Sequence, residues 1–194
     1  MCQPDDLDIS GWDLPKALEL FRKSNPPLLE WLQSPIVYRE VGPAVARLRE
    51  LLPSYYAPAS CMYHYLHMAR GNHRQYLQGD TVWVKKYFYV LRPVLACLWI
   101  ERGFGVVPTE FGVLVERLVD DPSLRQAIDG LLACKTAGHE LDQGPRIPAI
   151  SDFVAGELSR LAPESQPQPH TKDPATLDSL FVDLLIEIYG SKIH

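Results

Sequence analysis

The sequence is poor in cysteine, with four residues at positions 2, 61, 97 and 134 and no Cys-x-x-Cys pair. That spacing supplies neither a zinc knuckle nor a disulfide framework, and reduced thiols in a cytoplasm are the simplest reading. Positive charge is also short. Lys and Arg number 19 against 24 Asp and Glu, a net charge of −5. A protein that holds nucleic acid by bulk electrostatics carries the opposite balance, so any such contact must be local. No apolar run reaches the about 18 residues of a membrane span, because Arg92 and Glu101 interrupt the best candidate. The N-terminus, acidic from Asp5, lacks the charged-then-apolar pattern of a secretion signal. Gly-x-Ser-x-Gly, His-Glu-x-x-His and a Walker-type phosphate loop are all missing, which leaves hydrolase chemistry poorly supported.

What is present is ordinary globular material: 194 residues, 46% hydrophobic and 22% charged, enough for one sizeable core. The opening segment alternates Asp6, Leu7, Asp8, Ile9. As a strand it places both carboxylates on one face, about 7 Å apart. An acidic strand near a terminus is commonly a solvated edge. Gly11 breaks the strand, Asp13 can cap the next helix, and Pro15 fits its first turn. That helix is amphipathic through Leu14, Ala17, Leu18 and Phe21, and it should stop at Ser24-Asn25 ahead of Pro26. A short helix over Pro26–Leu32 and a short strand at Ile36-Val37-Tyr38 follow. Two such strands make a marginal sheet, which predicts further strands outside these residues.

From Pro43 onward the pattern is helical. Helices are predicted from Pro43 to Leu52, closed by Pro53; from about Ala59 to Gln78; from Val84 to Arg102; from about Pro108 to Val119; from Pro122 to about Gly138; and from Pro148 to Leu161. In the third of these, Val84, Tyr87, Phe88, Leu91, Leu95 and Leu98 follow the helical period, marking a core helix, and Pro93 should kink it. Residues 162–173 form a Pro- and Gln-rich linker. Beyond it, 174–189 carries a broad apolar stripe that should dock on the bundle or on another copy.

Several side chains are candidates for chemistry. His64 and His67 could share a metal, but no carboxylate or cysteine stands nearby in sequence, so packing is the simpler account. Arg70 and Arg74 lie one turn apart and could grip a phosphate, against the plain alternative of a solvated face. Lys85, Tyr89 and Arg92 fall at i, i+4, i+7 on one helix, with Lys86 adjacent, a basic face suited to phosphate or merely to water.

The words DLDISGWDLPKALELFRKSNPPLLEWLQSPIVYRE, MARGNHRQYL, KKYFYVLRPVLACLWIERG and LLACKTAG, in this order, resemble the RNA-ligase-associated, DNA polymerase β-like nucleotidyltransferase family from about Asp6 to Leu161. The resemblance implies a mainly α chain. Residues 1–40 would be the C-terminal remnant of a nucleotidyltransferase α/β sheet, 41–161 a helical bundle, 162–173 the linker and 174–194 a C-terminal helix. It also implies magnesium-dependent transfer of a nucleotidyl group from an NTP to an acceptor hydroxyl, possibly on RNA. Asp8 would be the metal-site carboxylate, with Asp6 the second candidate, and Lys85, Lys86, Arg92, Arg70 and Arg74 would contact nucleotide or phosphate. Family members carry a glycine-serine motif and an Asp-x-Asp pair before this point; Asp6-Leu7-Asp8 could itself be read as that pair, but no glycine-serine helix precedes it and only five residues stand in front. The expectation is therefore a chain that is truncated and inactive in isolation, without a membrane segment. The alternative is a non-catalytic helical module that self-associates through 174–189 or binds a partner.

Overall fold

The chain is represented by a computed structural model that describes residues 10–137, 142–161 and 172–190. Helix α1 (Leu14–Arg22) begins as the sequence requires, with Asp13 Oδ1 accepting from Lys16 N at 2.8 Å and Pro15 in the first turn. It ends in a Schellman motif. Asn25 N donates to Leu20 O and Ser24 N to Phe21 O, both at 2.9 Å, with Ser24 at φ +52°. Asn25 then caps α2 (Pro26–Leu32) by accepting from Leu28 N at 3.3 Å.

The predicted strand at 36–38 does not form. Ile36, Val37 and Tyr38 are 68%, 54% and 97% exposed and irregular, apart from local bonds between Ser34 Oγ and the Ile36 backbone. β-branched residues favour a strand only where a neighbouring strand completes the ladder. The partner expected for it, Asp6–Ile9, lies outside the described residues.

Helices α3 (Ala44–Tyr55), α4 (Pro58–Tyr76), α5 (Tyr87–Glu101), α6 (Phe111–Leu118), α7 (Pro122–Thr136), α8 (Pro148–Arg160) and α9 (Ala175–Tyr189) complete a mainly α fold. Two boundaries differ from expectation. Helix α3 continues through Pro53 to Tyr55, because a proline this near a C-terminus removes one bond while Leu52 and Tyr55, both buried, hold the last turn in the core. The segment before α5 is not helical from Val84. Strand β1 (Thr81–Trp83) pairs antiparallel with β2 (Gln143–Pro145), Val82 facing Gly144, and a 3-10 turn over Val84–Lys86 leads into α5. Gly79, at φ +88°, makes the turn into β1. Gly144 is needed for contact, since a Cβ there would meet Val84 Cγ2 at 3.0 Å.

Helix α5 is the central element, with α4, α6 and α8 packed around it. Ten of its 15 residues are buried, and it runs unbroken through Pro93. Every helix contributes to one apolar core, including Phe21 and Leu29 from the first 40 residues. Tyr87, fully buried, shares a 2.7 Å hydrogen bond with Ser151 Oγ and accepts from Ile147 N at 2.9 Å. These bonds fasten the start of α8 to the N-terminal end of α5. The inner stripe of α9, Leu177, Leu180 and Leu184, docks on the bundle, and Arg47 Nη2 pairs with Glu187 at 2.7 Å. Among the described residues no helix is long and apolar enough to cross a membrane.

Candidate functional site

The strand pair and the 3-10 turn set the geometry at the N-terminal end of α5. Alternation along β1 buries Val82 and leaves Trp83 43% exposed. The turn then projects Lys85 outward and folds Lys86 back against aromatic rings. Lys86 Nζ lies 4.5 Å from the Tyr76 ring centroid and 4.3 Å from that of Tyr89. Two such cation–π contacts hold the ammonium without a carboxylate partner. Lys135, on α7, makes a third, 5.0 Å from the Phe88 centroid. Among the described residues no ion pair involves Lys85, Lys86 or Lys135, and α5 has no acidic residue in its first turn. Charge here is locally positive, and the helix N-terminus adds to it.

The basic residues expected to share one face do not all meet. Arg92 points inward: its Nη2 donates to Glu30 Oε2 at 2.7 Å and to Pro108 O at 3.1 Å. Arg92 Nη1 is buried and has no hydrogen-bond partner among the described residues. Glu30 also accepts from the Tyr65 hydroxyl, whose pKa is raised by burial and by the Glu30 charge, so it remains a donor. Arg70 Nη2 is committed to Leu158 O at 3.2 Å. Arg74 is exposed and borders a shallow groove on α4 with His67, Met68, Asn72 and Gln75. Lys85 and Lys86 therefore stay together at the surface, Arg74 lies on α4 outside their cluster of contacts, and Arg70 and Arg92 serve internal bonds. The sequence reading left out Trp83 and Tyr76. The interleaving of aromatic and basic residues in Trp83-Val84-Lys85-Lys86-Tyr87-Phe88-Tyr89 is the signal that could have found the first.

Asp6 and Asp8 lie outside the described residues. Among those described, no three His, Cys, Asp or Glu side chains are placed to hold a metal. His64 and Tyr65 meet edge to face and His67 stacks on Tyr63. Burial lowers the pKa of His64, opposed by Glu30. The Cys61 and Cys97 thiols are each pushed up to about 12, chiefly by burial, which removes them as nucleophiles. A separate apolar groove of about 350 Å³ lies between α1 and α9, lined by Pro15, Leu18, Leu177 and Phe181.

Residues 2–183 match the model of the RNA repair pathway DNA polymerase beta family. The chain is also 45% identical over 187 residues to the uncharacterized protein YcgL of Bacillus subtilis (strain 168), an alignment that covers 95% of this chain and 72% of that protein. No solved structure matches the chain.

Proposed function

Because the chain belongs to the RNA repair pathway DNA polymerase beta family, we propose that it is the helical part of a nucleotidyltransferase, whose reaction moves a nucleotidyl group from an NTP to an acceptor hydroxyl. The observation that carries this reading is the family match across residues 2–183. Its support in the fold is Lys85 and Lys86 at the N-terminal end of α5, without an ion pair among the described residues, where phosphate oxygens would find positive charge and no competing carboxylate in the first turn. Arg74, exposed on α4, is available to phosphate as well. Arg70 and Arg92 contribute by holding α8 and α2 in place.

Magnesium is the metal that the resemblance to polymerase β-like nucleotidyltransferases implies. The described residues do not provide its ligand set, since no group of three donors converges. Asp8, with Asp6, is the carboxylate proposed to belong to such a set. No glycine-serine motif stands ahead of Asp6 in these residues, so the charge that develops on the transferring phosphate is expected to lack most of its neutralisation. The isolated chain is expected to show no incorporation of labelled NTP into an oligonucleotide above background with magnesium present. Turnover that disappears in Asp8→Ala would overturn this expectation.

A second reading rests on α9, whose outer face exposes Val182, Leu185, Ile186 and Tyr189. In that reading the chain is a non-catalytic module that pairs with a second copy through this face. Light scattering on the whole chain and on a version ending at Ala162 separates the two. A dimer that becomes a monomer on truncation supports self-association, and a monomer in both cases removes it.

A further inference from the structure

We propose that the N-terminal end of α5 is a stacking platform for a single-stranded polynucleotide, with Trp83 and Tyr89 receiving bases and Lys85, Lys86 and Lys135 receiving phosphates. This deepens the reading of Lys85 and Lys86 as phosphate contacts and rests on it. Trp83 is 43% and Tyr89 48% exposed, so roughly half of each side chain is open to a ligand although both sit beside ordered structure. Lys86 Nζ lies over the Tyr89 ring at 4.3 Å and also over the Tyr76 ring at 4.5 Å. That arrangement orients the Tyr89 ring and fixes a positive charge next to it before any ligand arrives. Lys85 is exposed, and Lys135 is anchored on Phe88. Asp80 and Asp142 flank the two strands, and neither pairs with any of the three lysines.

The chemistry selects among polyanions. A duplex hides its base faces, so open aromatic rings have nothing to stack on, whereas every base of a single strand offers a π face. A phosphopeptide is best gripped by forked guanidinium groups, whereas the charges gathered here are lysines: Arg92 is committed to Glu30 and Arg146 to Asp152, and Arg74 lies on α4 outside the lysines' contacts. The overall charge of −5 confines attraction to this patch and disfavours binding elsewhere on the surface.

The test is fluorescence anisotropy with labelled single strands of about 12 nucleotides, RNA and DNA, and a duplex of the same length. It uses the full chain in EDTA without NTP. Binding of both single strands in preference to duplex is expected. Tyr89→Ala and Trp83→Ala should each weaken it by about tenfold, and Lys85→Ala should lower the slope of log affinity against log salt by about 0.7. Lys85→Glu, at an exposed position, provides a variant that leaves packing untouched and should weaken binding further. A preference for either sugar keeps the platform and assigns its natural strand. Absence of binding, equal affinity for duplex, or affinity unmoved by both aromatic substitutions overturns it. Because metal and NTP are left out, binding without any transfer in a reconstituted enzyme would refute the transferase reading alone. Transfer that survives Tyr89→Ala with unchanged affinity for the strand would refute the platform alone.

Discussion

Glu30→Ala is expected to destabilise the fold by about 3 kcal/mol, the largest loss from a single side chain outside the apolar core. Glu30 on α2 accepts from Tyr65 on α4 and from Arg92 on α5, and Arg92 in turn reaches Pro108 O. The carboxylate thus joins three helices and the loop before α6. Its side chain is 15% exposed and that of Arg92 26%, so water screens the pair only in part. Removing Glu30 leaves Arg92 with the Pro108 carbonyl as its one acceptor and a guanidinium largely out of solvent, and Tyr65 loses its acceptor. The cost of an orphaned buried charge is about 3 to 5 kcal/mol, and partial exposure places this pair at the lower end. Glu30→Gln keeps an acceptor for Tyr65 and should cost about half as much. The double variant Glu30→Leu with Arg92→Met should recover most of the loss, because no charge is then stranded. Urea unfolding of the unmodified chain, Glu30→Leu, Arg92→Met and the double variant gives the coupling directly. Additive losses in the double variant would show that the pair is not a unit.

Ser24→Ala is the second large effect, also expected near 3 kcal/mol. Ser24 occupies the left-handed position of the Schellman motif at φ +52°, where glycine is the usual residue and a side chain is strained by about 1 kcal/mol. The strain is offset by the hydroxyl. Ser24 Oγ donates to Tyr55 O at 2.7 Å and accepts from Ala57 N at 2.8 Å, while Ser24 O accepts from Cys61 Sγ at 3.3 Å. One fully buried serine therefore satisfies the chain reversal between α3 and α4 from the end of α1. Alanine keeps the strain and strands both backbone groups. Ser24→Gly strands them too but accepts the positive φ, so it should be more stable than Ser24→Ala by about 1 kcal/mol. A shift in urea midpoint without a change in slope is the expected signature. A glycine variant less stable than the alanine one would show that backbone strain is not part of the balance.

Local signals in the sequence were enough wherever the interaction is local. Asp13, Pro15 and Pro26 set the helix starts they predict, and the spacing of Leu91, Leu95 and Leu98 identifies α5 as the core helix. The inner stripe of α9 docks on the bundle, one of the two outcomes its pattern allowed. Non-local pairing was not readable. β1 meets a partner made of Gln143, Gly144 and Pro145, residues with no preference for strands, while Ile36-Val37-Tyr38 has the preference and is irregular, with no strand partner among the described residues. The candidate site divides in the same way. Lys85 and Lys86 stand at the surface near where the helical reading placed them, but Arg92 turns toward a carboxylate 62 residues away and Arg70 toward a carbonyl 88 residues away. No periodicity in one helix reports such distant acceptors. Trp83 escaped notice because a helix starting at Val84 left it in a connecting loop.

The burial of α5 on nearly all sides has a consequence for how the molecule can come apart. A helix with ten of its 15 residues buried cannot be left behind as a stable remnant when its neighbours detach, so α4, α5, α6 and α8 are expected to open together in one cooperative step. Amide hydrogens along Val90–Leu98 would then exchange with solvent only through whole-molecule opening, and the lysines at the head of that helix stand on the least yielding part of the scaffold.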